Sequence, residues 1–211
     1  MNNLIIVGGG GFCLELIDYL LCDSSFLMNF KLKGILDDKK IQNELSYLGK
    51  LDDYIPSDDD YFIIAIGNVS YRKTIFDKLI SKGAKFYTYI HPSAFISKTA
   101  KLGVGCIIAP YTIVNAFAQI GDNVVLNVHS SVGHEAVIGD NTVFSPYCAA
   151  NGCSHVGACC FLGTRSTIFP GVTLGYMSIV DSHSYVKSDA AEKSIISLRS
   201  DYSVLKNRFI R

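Results

Sequence analysis

From residue 96 onward every sixth residue is apolar: Ile96, Leu102, Ile108, Val114, Ile120, Leu126, Val132, Ile138, Phe144, Ala150, Val156, Leu162, Ile168, Leu174, Val180 and Val186. Two positions before each stands Ala, Cys, Thr, Val or Ser, from Ala94 to Ser184, and never a large side chain. The residue after each is often Gly or Asn, as at Gly121, Asn127, Gly133, Gly139 and Gly157, types suited to tight turns with unusual backbone angles. A globular or irregular segment has no reason to hold period six over this length. A large and a small inward residue in every hexad predict a hexapeptide β-helix. Three hexads close one triangular coil, so residues eighteen apart stack, with coils spaced by roughly 4.7–4.9 Å. Sixteen hexads make about five coils.

Ahead of the repeats, residues 1 to 90 alternate strand and helix patterns. LIIVG (4 to 8) reads as a strand ending in glycine, and FCLELIDYLLC (12 to 22) carries helical spacing. KLKGILDD (31 to 38) and YFIIAIGN (61 to 68) are further strands, the first ending in two aspartates. SYRKTIFDKLISKG (70 to 83) predicts a helix with Ser70 as its N-cap and Gly83 just past its end. KFYTYI (85 to 90) is a fourth strand. The fold class is therefore an α/β domain with a Rossmann-like parallel sheet over 1–90, which places ligands at the carboxyl ends of the strands, followed by a parallel β-helix over 91–190. The last residues, 191–211, leave the period and are expected to cap the open end, with a short amphipathic helix over 200 to 210.

Charge adds an exclusion. Lys+Arg and Asp+Glu number 19 each, so the formal net charge is zero and no basic excess is available for nucleic acid or membrane surfaces. The apolar run at 4 to 7 is too short for a signal or membrane segment, so no membrane insertion is expected. Seven cysteines without a CxxC pair argue against disulfides or structural zinc and fit reduced thiols in a cytoplasm.

The repeats also sort the candidate chemistry. His134 lies between the inward positions Val132 and Ile138 and so projects outward, as a solvated residue or as a base whose unperturbed pKa of about 6.5 suits proton transfer near neutrality. Glu135 beside it is either a plain surface carboxylate or the group that fixes the imidazole tautomer. Neighbours on an extended strand face opposite ways, so contact between them requires a turn, a water or another subunit. Gly152 follows His134 by eighteen residues and should stack on it, either as a simple turn glycine or as an N–H donor to a developing oxyanion. Cys153 suggests an acyl-cysteine route, but nothing adjacent in sequence forms an activating pair. Cys106, Cys148 and Cys160 occupy small inward positions and are expected in the core. GGGGF (8 to 12) has a GxG turn, yet Cys13 replaces the third glycine of a dinucleotide fingerprint.

The strand–glycine–helix unit, the DD pair, "IAIGN" with Arg72 after it, "HPSA", and repeats containing "GHE" and "IGD" occur together in this order. That combination resembles the bacterial sugar-nucleotide N-acetyltransferases of the hexapeptide superfamily, which include sialic-acid O-acetyltransferase-like proteins of surface-polysaccharide clusters. The resemblance implies a left-handed helix, a homotrimer, acetyl-CoA as co-substrate and no metal. It implies His134 as general base with Glu135 as helper, acting on the amino group of a UDP- or dTDP-linked 4-amino-4,6-dideoxy sugar for lipopolysaccharide O-antigen or glycan synthesis. It places the nucleotide sugar against Gly8, Gly10, Gly11, Phe12, Asp37, Asp38, Gly67, Asn68 and Arg72, where Arg72 either faces the diphosphate or is an ordinary helix arginine. Asn127 either matches a polar position near the substrate or is a turn asparagine placed for backbone reasons; Gly152, Gly163 and Thr164 match the CoA side.

The chain also departs from that pattern. Phe12 stands where relatives carry a histidine, Val143 stands nine residues after His134 where another is common, and "DSHSYVKSD" replaces a glycine-rich coil that usually lines the CoA site. Two other functions fit the same repeats: O-acetylation of a sugar hydroxyl, as in the sialic-acid type, and a non-catalytic trimeric binder.

Overall fold

The computed structural model describes residues 1–39 and 46–198; the helix expected over 200 to 210 lies outside the described residues. Its first part is a parallel sheet flanked by helices. In chain order come β1 (Asn2–Val7), α1 (Gly11–Cys22), α2 (Ser24–Asn29), β2 (Phe30–Leu36), β3 (Tyr47–Gly49), β4 (Asp60–Ile64), α3 (Val69–Ser81) and β5 (Lys85–Phe86). The sheet order is β3-β2-β1-β4-β5. The chain therefore turns to opposite sides after β1, and the loops following β1 and β4 diverge to leave a crevice at the strands' carboxyl ends. Sequence patterning missed α2, whose N-cap Asp23 accepts hydrogen bonds from the N–H groups of Ser25 and Phe26. The cap of α3 is Asn68, whose side chain accepts from the Tyr71 N–H, not Ser70 as expected. Gly83 follows this helix with φ of 71°.

Asp60 opens β4 and is buried. Burial alone would raise its carboxyl pKa, but donors from Lys33 (2.8 Å), the Ser57 N–H (2.9 Å), Asn3 (2.8 Å) and Tyr54 (2.8 Å) hold it well below the usual carboxylate range. The folded pKa lies below the unfolded one, so this stabilisation is complete above about pH 4 and is lost as pH falls through the folded value. Urea titrations at pH 7 and pH 3 should show the onset of that loss. Asp60→Asn should lower stability at pH 7 and shrink the acid-dependent part.

The run 85 to 90, expected as one strand, divides between two bodies. Lys85–Phe86 completes the first sheet, and Tyr89–Ile90 pairs with Ile107–Ile108 to begin the β-helix. Three parallel sheets of seven, six and five short strands form the helix. The first face contains Tyr89–Ile90 and Val125–Leu126, the second Ser131–Val132 and Ala149–Ala150, and the third Val137–Ile138 and His155–Val156. Register is eighteen residues per coil, as in Val132 on Ala150 and Ile138 on Val156. This is the left-handed architecture that the resemblance implies. The inward rungs and their small partners, including Cys106, Cys148 and Cys160, make one buried column, each large rung contributing about 1.5–3 kcal/mol.

Two features differ from the sequence expectation. Gly121, Gly133, Gly139 and Gly157 do not supply the unusual angles. They supply closeness, since a Cβ on Gly133 would strike the backbone of Asn151 and Gly152 in the next coil. The left-handed backbone falls two residues later, mostly on non-glycine residues such as Asn123, His129, Glu135, Tyr147 and Cys153. The ladder also outruns Val186. Ala190 bridges Leu174, and Ile196 pairs with Val180, so the last coil is sixteen residues long instead of eighteen and its sequence falls out of step.

The two bodies share a core. On the first face the outward residues Ile107, Val125 and Val143 are apolar and pack with Leu4, Cys13, Leu16 and Phe26 of the α/β domain. Arg72 closes the junction. It is fully buried, its Nε donating to the Asn123 carbonyl (2.8 Å) and its Nη1 to the carbonyls of Ile64 (2.5 Å) and Ile66 (3.1 Å). This corrects the expectation that Arg72 faces a diphosphate: its charge is spent on backbone carbonyls from both bodies.

Candidate active site

His134 and Glu135 occupy the turn between the second and third faces, after Val132 and before Val137. Glu135 adopts φ of 57°, which breaks strand alternation and lets neighbouring side chains leave on the same side. Its carboxylate lies 3.0 Å from His134 Nδ1. Contact is therefore direct and within one chain. A carboxylate at that distance favours the tautomer with the proton on Nδ1, which leaves Nε2 with a free lone pair. Both side chains are exposed.

Gly152 lies one coil away, as its spacing predicts. A Cβ there would come within 2.5 Å of His134 Nε2 and 2.7 Å of Cε1. The imidazole thus rests on the Gly152 backbone, and the glycine's first service is to leave room for the ring. Gly152→Ala should retain the melting temperature, because an exposed ring can swing away, and should lower turnover by about a hundredfold through misplacement of Nε2. Thermal melts beside steady-state kinetics check both halves.

Cys153, stacked on Glu135, was not expected to have an activating partner. The same eighteen-residue arithmetic gives it two: its Sγ lies 3.8 Å from Glu135 Oε2 and 4.0 Å from His134 Nδ1.

Asn127 stands elsewhere, at the corner between the first and second faces. Its side-chain oxygen accepts from the Val128 N–H at 2.7 Å. Gly163 and Thr164 share that corner, two coils on from Asn127, and the structure does not bring any of the three to His134 within one chain. Their corner carries a stack of Tyr111, His129 and Tyr147, with ring centroids 5.0 and 4.7 Å apart, continued by Arg165 4.7 Å above Tyr147.

The other candidate residues gather in the α/β crevice. Gly8, Gly10, Gly11, Phe12, Asp37 and Gly67 line one cavity; Gly8, Asp37 and Asp38 line its neighbour, together with Tyr71 and Lys78, which sequence reading did not single out. The Asp37 carboxylate accepts from the Gly9 N–H at 2.8 Å, tying the glycine loop to the end of β2. Asn68 is adjacent, its side chain engaged in capping α3. Cys13, where a third glycine would stand, is buried; burial and then the Asp37 charge push its thiol up to about 11, which makes it a core residue and not a nucleophile.

Known proteins resemble this chain in sequence and in fold. Residues 3–79 match the PglD N-terminal domain. A curated UDP-N-acetylbacillosamine N-acetyltransferase from Bacillus subtilis (strain 168) is 36% identical over 117 residues, covering 51% of this chain and 51% of that protein. The chain thus matches about half the length of this curated relative. Across both domains it resembles PerB from Caulobacter crescentus, solved in complex with CoA and GDP-perosamine, at 26% identity and TM-score 0.84, covering 92% of this chain and 93% of that one. The acetyltransferase domain of PglB from Neisseria gonorrhoeae shares the fold at 21% identity and TM-score 0.83, with 92% and 96% covered. Together they bear out the resemblance to hexapeptide-repeat sugar-nucleotide N-acetyltransferases.

Proposed function

We propose that this chain is an acetyl-CoA-dependent N-acetyltransferase acting on a nucleotide-linked 4-amino-4,6-dideoxy sugar. The observation that carries this reading is the His134–Glu135 contact, which leaves Nε2 free to accept a proton beside the Gly152 backbone. The sugar amine attacks the thioester carbonyl of acetyl-CoA. As the C–N bond forms, His134 Nε2 takes the amine proton and Glu135 supports the resulting imidazolium. The Gly152 N–H is assigned to the developing oxyanion. Collapse of the tetrahedral intermediate breaks the C–S bond, and the thiolate leaves as CoA, taking the proton from His134.

The nucleotide is assigned to the α/β crevice, between the glycine loop and Asp37 and Asp38. That domain covers the first face of the helix, whereas His134 stands on the one edge that the first face does not form. A homotrimer resolves the mismatch: a neighbouring copy brings its own crevice, and its Asn127, Gly163 and Thr164 corner, towards His134. Among the described residues no helix is long and apolar enough to cross a membrane, which fits a cytoplasmic step in lipopolysaccharide or glycan assembly.

The test is acetyl-CoA with UDP-, dTDP- and GDP-linked 4-amino sugars, following free thiol, with mass spectrometry of paired amino and hydroxy sugars. Acetylation of an amino sugar is the expected result. Transfer only to a hydroxyl, or no transfer with any donor, overturns the reading.

A further inference from the structure

His134, Glu135 and Cys153 each offer one ligand atom, and these atoms lie within 4.8 Å of one another. Zinc bonds of about 2.3 Å to sulfur and about 2.0–2.2 Å to nitrogen and oxygen, at tetrahedral angles, hold ligand atoms about 3.3–3.6 Å apart. The three separations here are 3.0 Å (Nδ1 to Oε2), 3.8 Å (Sγ to Oε2) and 4.0 Å (Sγ to Nδ1). Each differs from the tetrahedral separation by no more than about half an ångström, within reach of small side-chain rotations. The set combines one thiolate, one imidazole and one carboxylate, which selects a borderline-soft divalent ion over magnesium or calcium. The stacking of turn on turn fixes the set, since Glu135 and Cys153 share one register position on successive coils.

We propose that these three side chains form a Zn2+ site, and that filling it turns the transferase off. The mechanism is the imidazole's two-nitrogen arithmetic. A metal on Nδ1 uses the lone pair there, so the single proton of the neutral ring moves through water to Nε2. The nitrogen that should accept the amine proton then becomes a donor. Glu135 passes from hydrogen-bond acceptor to ligand, and Cys153 releases its thiol proton to solvent, so one proton leaves per Zn2+ bound. Three protein ligands leave the fourth position to water.

The inhibitory half rests on His134 acting as the base; the binding half does not. The full-length protein, stripped with EDTA, is titrated with Co2+ and with Zn2+ in the absence of CoA. Expected are one ion per chain, a thiolate-to-cobalt charge-transfer band, and release of about one proton per Zn2+ read by calorimetry in buffers of different ionisation enthalpy. Cys153→Ser should abolish the charge-transfer band and weaken Zn2+ by about two orders of magnitude, whereas Cys22→Ser, at the other exposed thiol, should change neither. In turnover followed by product mass spectrometry, Zn2+ should inhibit the native enzyme reversibly with EDTA, and whatever turnover Cys153→Ser retains should resist the metal. Zn2+ binding of undiminished affinity in Cys153→Ser overturns the site. Stoichiometric binding without inhibition of an active enzyme overturns the switch. Cys153-dependent binding in a protein that acetylates no sugar upholds the site and overturns the transferase reading alone.

Discussion

Replacing His134 with alanine is expected to lower turnover by about two to four orders of magnitude, the range a positioned general base supplies. The ring is exposed and packs on Gly152, so its loss removes no core contact, and the variant should melt with the native protein. The Michaelis constants for both substrates should move little, because the base acts on a proton that leaves only as the C–N bond forms. Glu135→Gln should cost less, about ten- to a hundredfold, since an amide still holds the ring but no longer stabilises the imidazolium. Steady-state kinetics of both variants beside differential scanning calorimetry separates chemistry from folding. Undiminished turnover in His134→Ala would remove this residue from the mechanism.

Arg72→Ala is expected to be the most damaging change outside the repeats. The guanidinium is fully buried and donates to three carbonyls drawn from β4, the loop after it and the helix turn at Asn123. Alanine leaves those acceptors without donors and opens a void between the two bodies, a loss of about 3–5 kcal/mol. Arg72→Lys should recover only part of it, because an ammonium has no planar fork to span carbonyls on two sides. Chemical denaturation measures the loss. Nucleotide-sugar binding by the fraction that remains folded should be close to native, whereas an arginine bound to a diphosphate would give the opposite pattern.

The contrast between His134 and Arg72 shows where sequence patterning ran out. The β-helix was readable because its rule is periodic: one large residue and one small residue per hexad determine face, register and stacking together. His134, Gly152 and the buried cysteines followed from counting. Counting also holds the Cys153–Glu135 contact, since 135 and 153 are one coil apart. Arg72 has no such rule. In a helix of exposed and buried residues an arginine is ordinarily surface, and only the docking of the two bodies shows that this one is enclosed. A signal for that docking was present in the outward residues of the first face, Ile107, Val125 and Val143, all apolar where the third face mixes Val137 with Lys101, Gln119 and His155. Asn68 illustrates a shorter-range ambiguity. Asn at the end of a strand serves a ligand or a helix cap equally well, and its hydrogen bond to Tyr71 decides for the cap.

The sixteen-residue last coil shows what the ladder requires of its sequence. The bridges of Ala190 to Leu174 and Ile196 to Val180 break the hexad rhythm by two residues, yet both side chains still pack against the buried column. The missing length comes out of a corner, and inward stacking, more than a fixed coil length, is what the core demands.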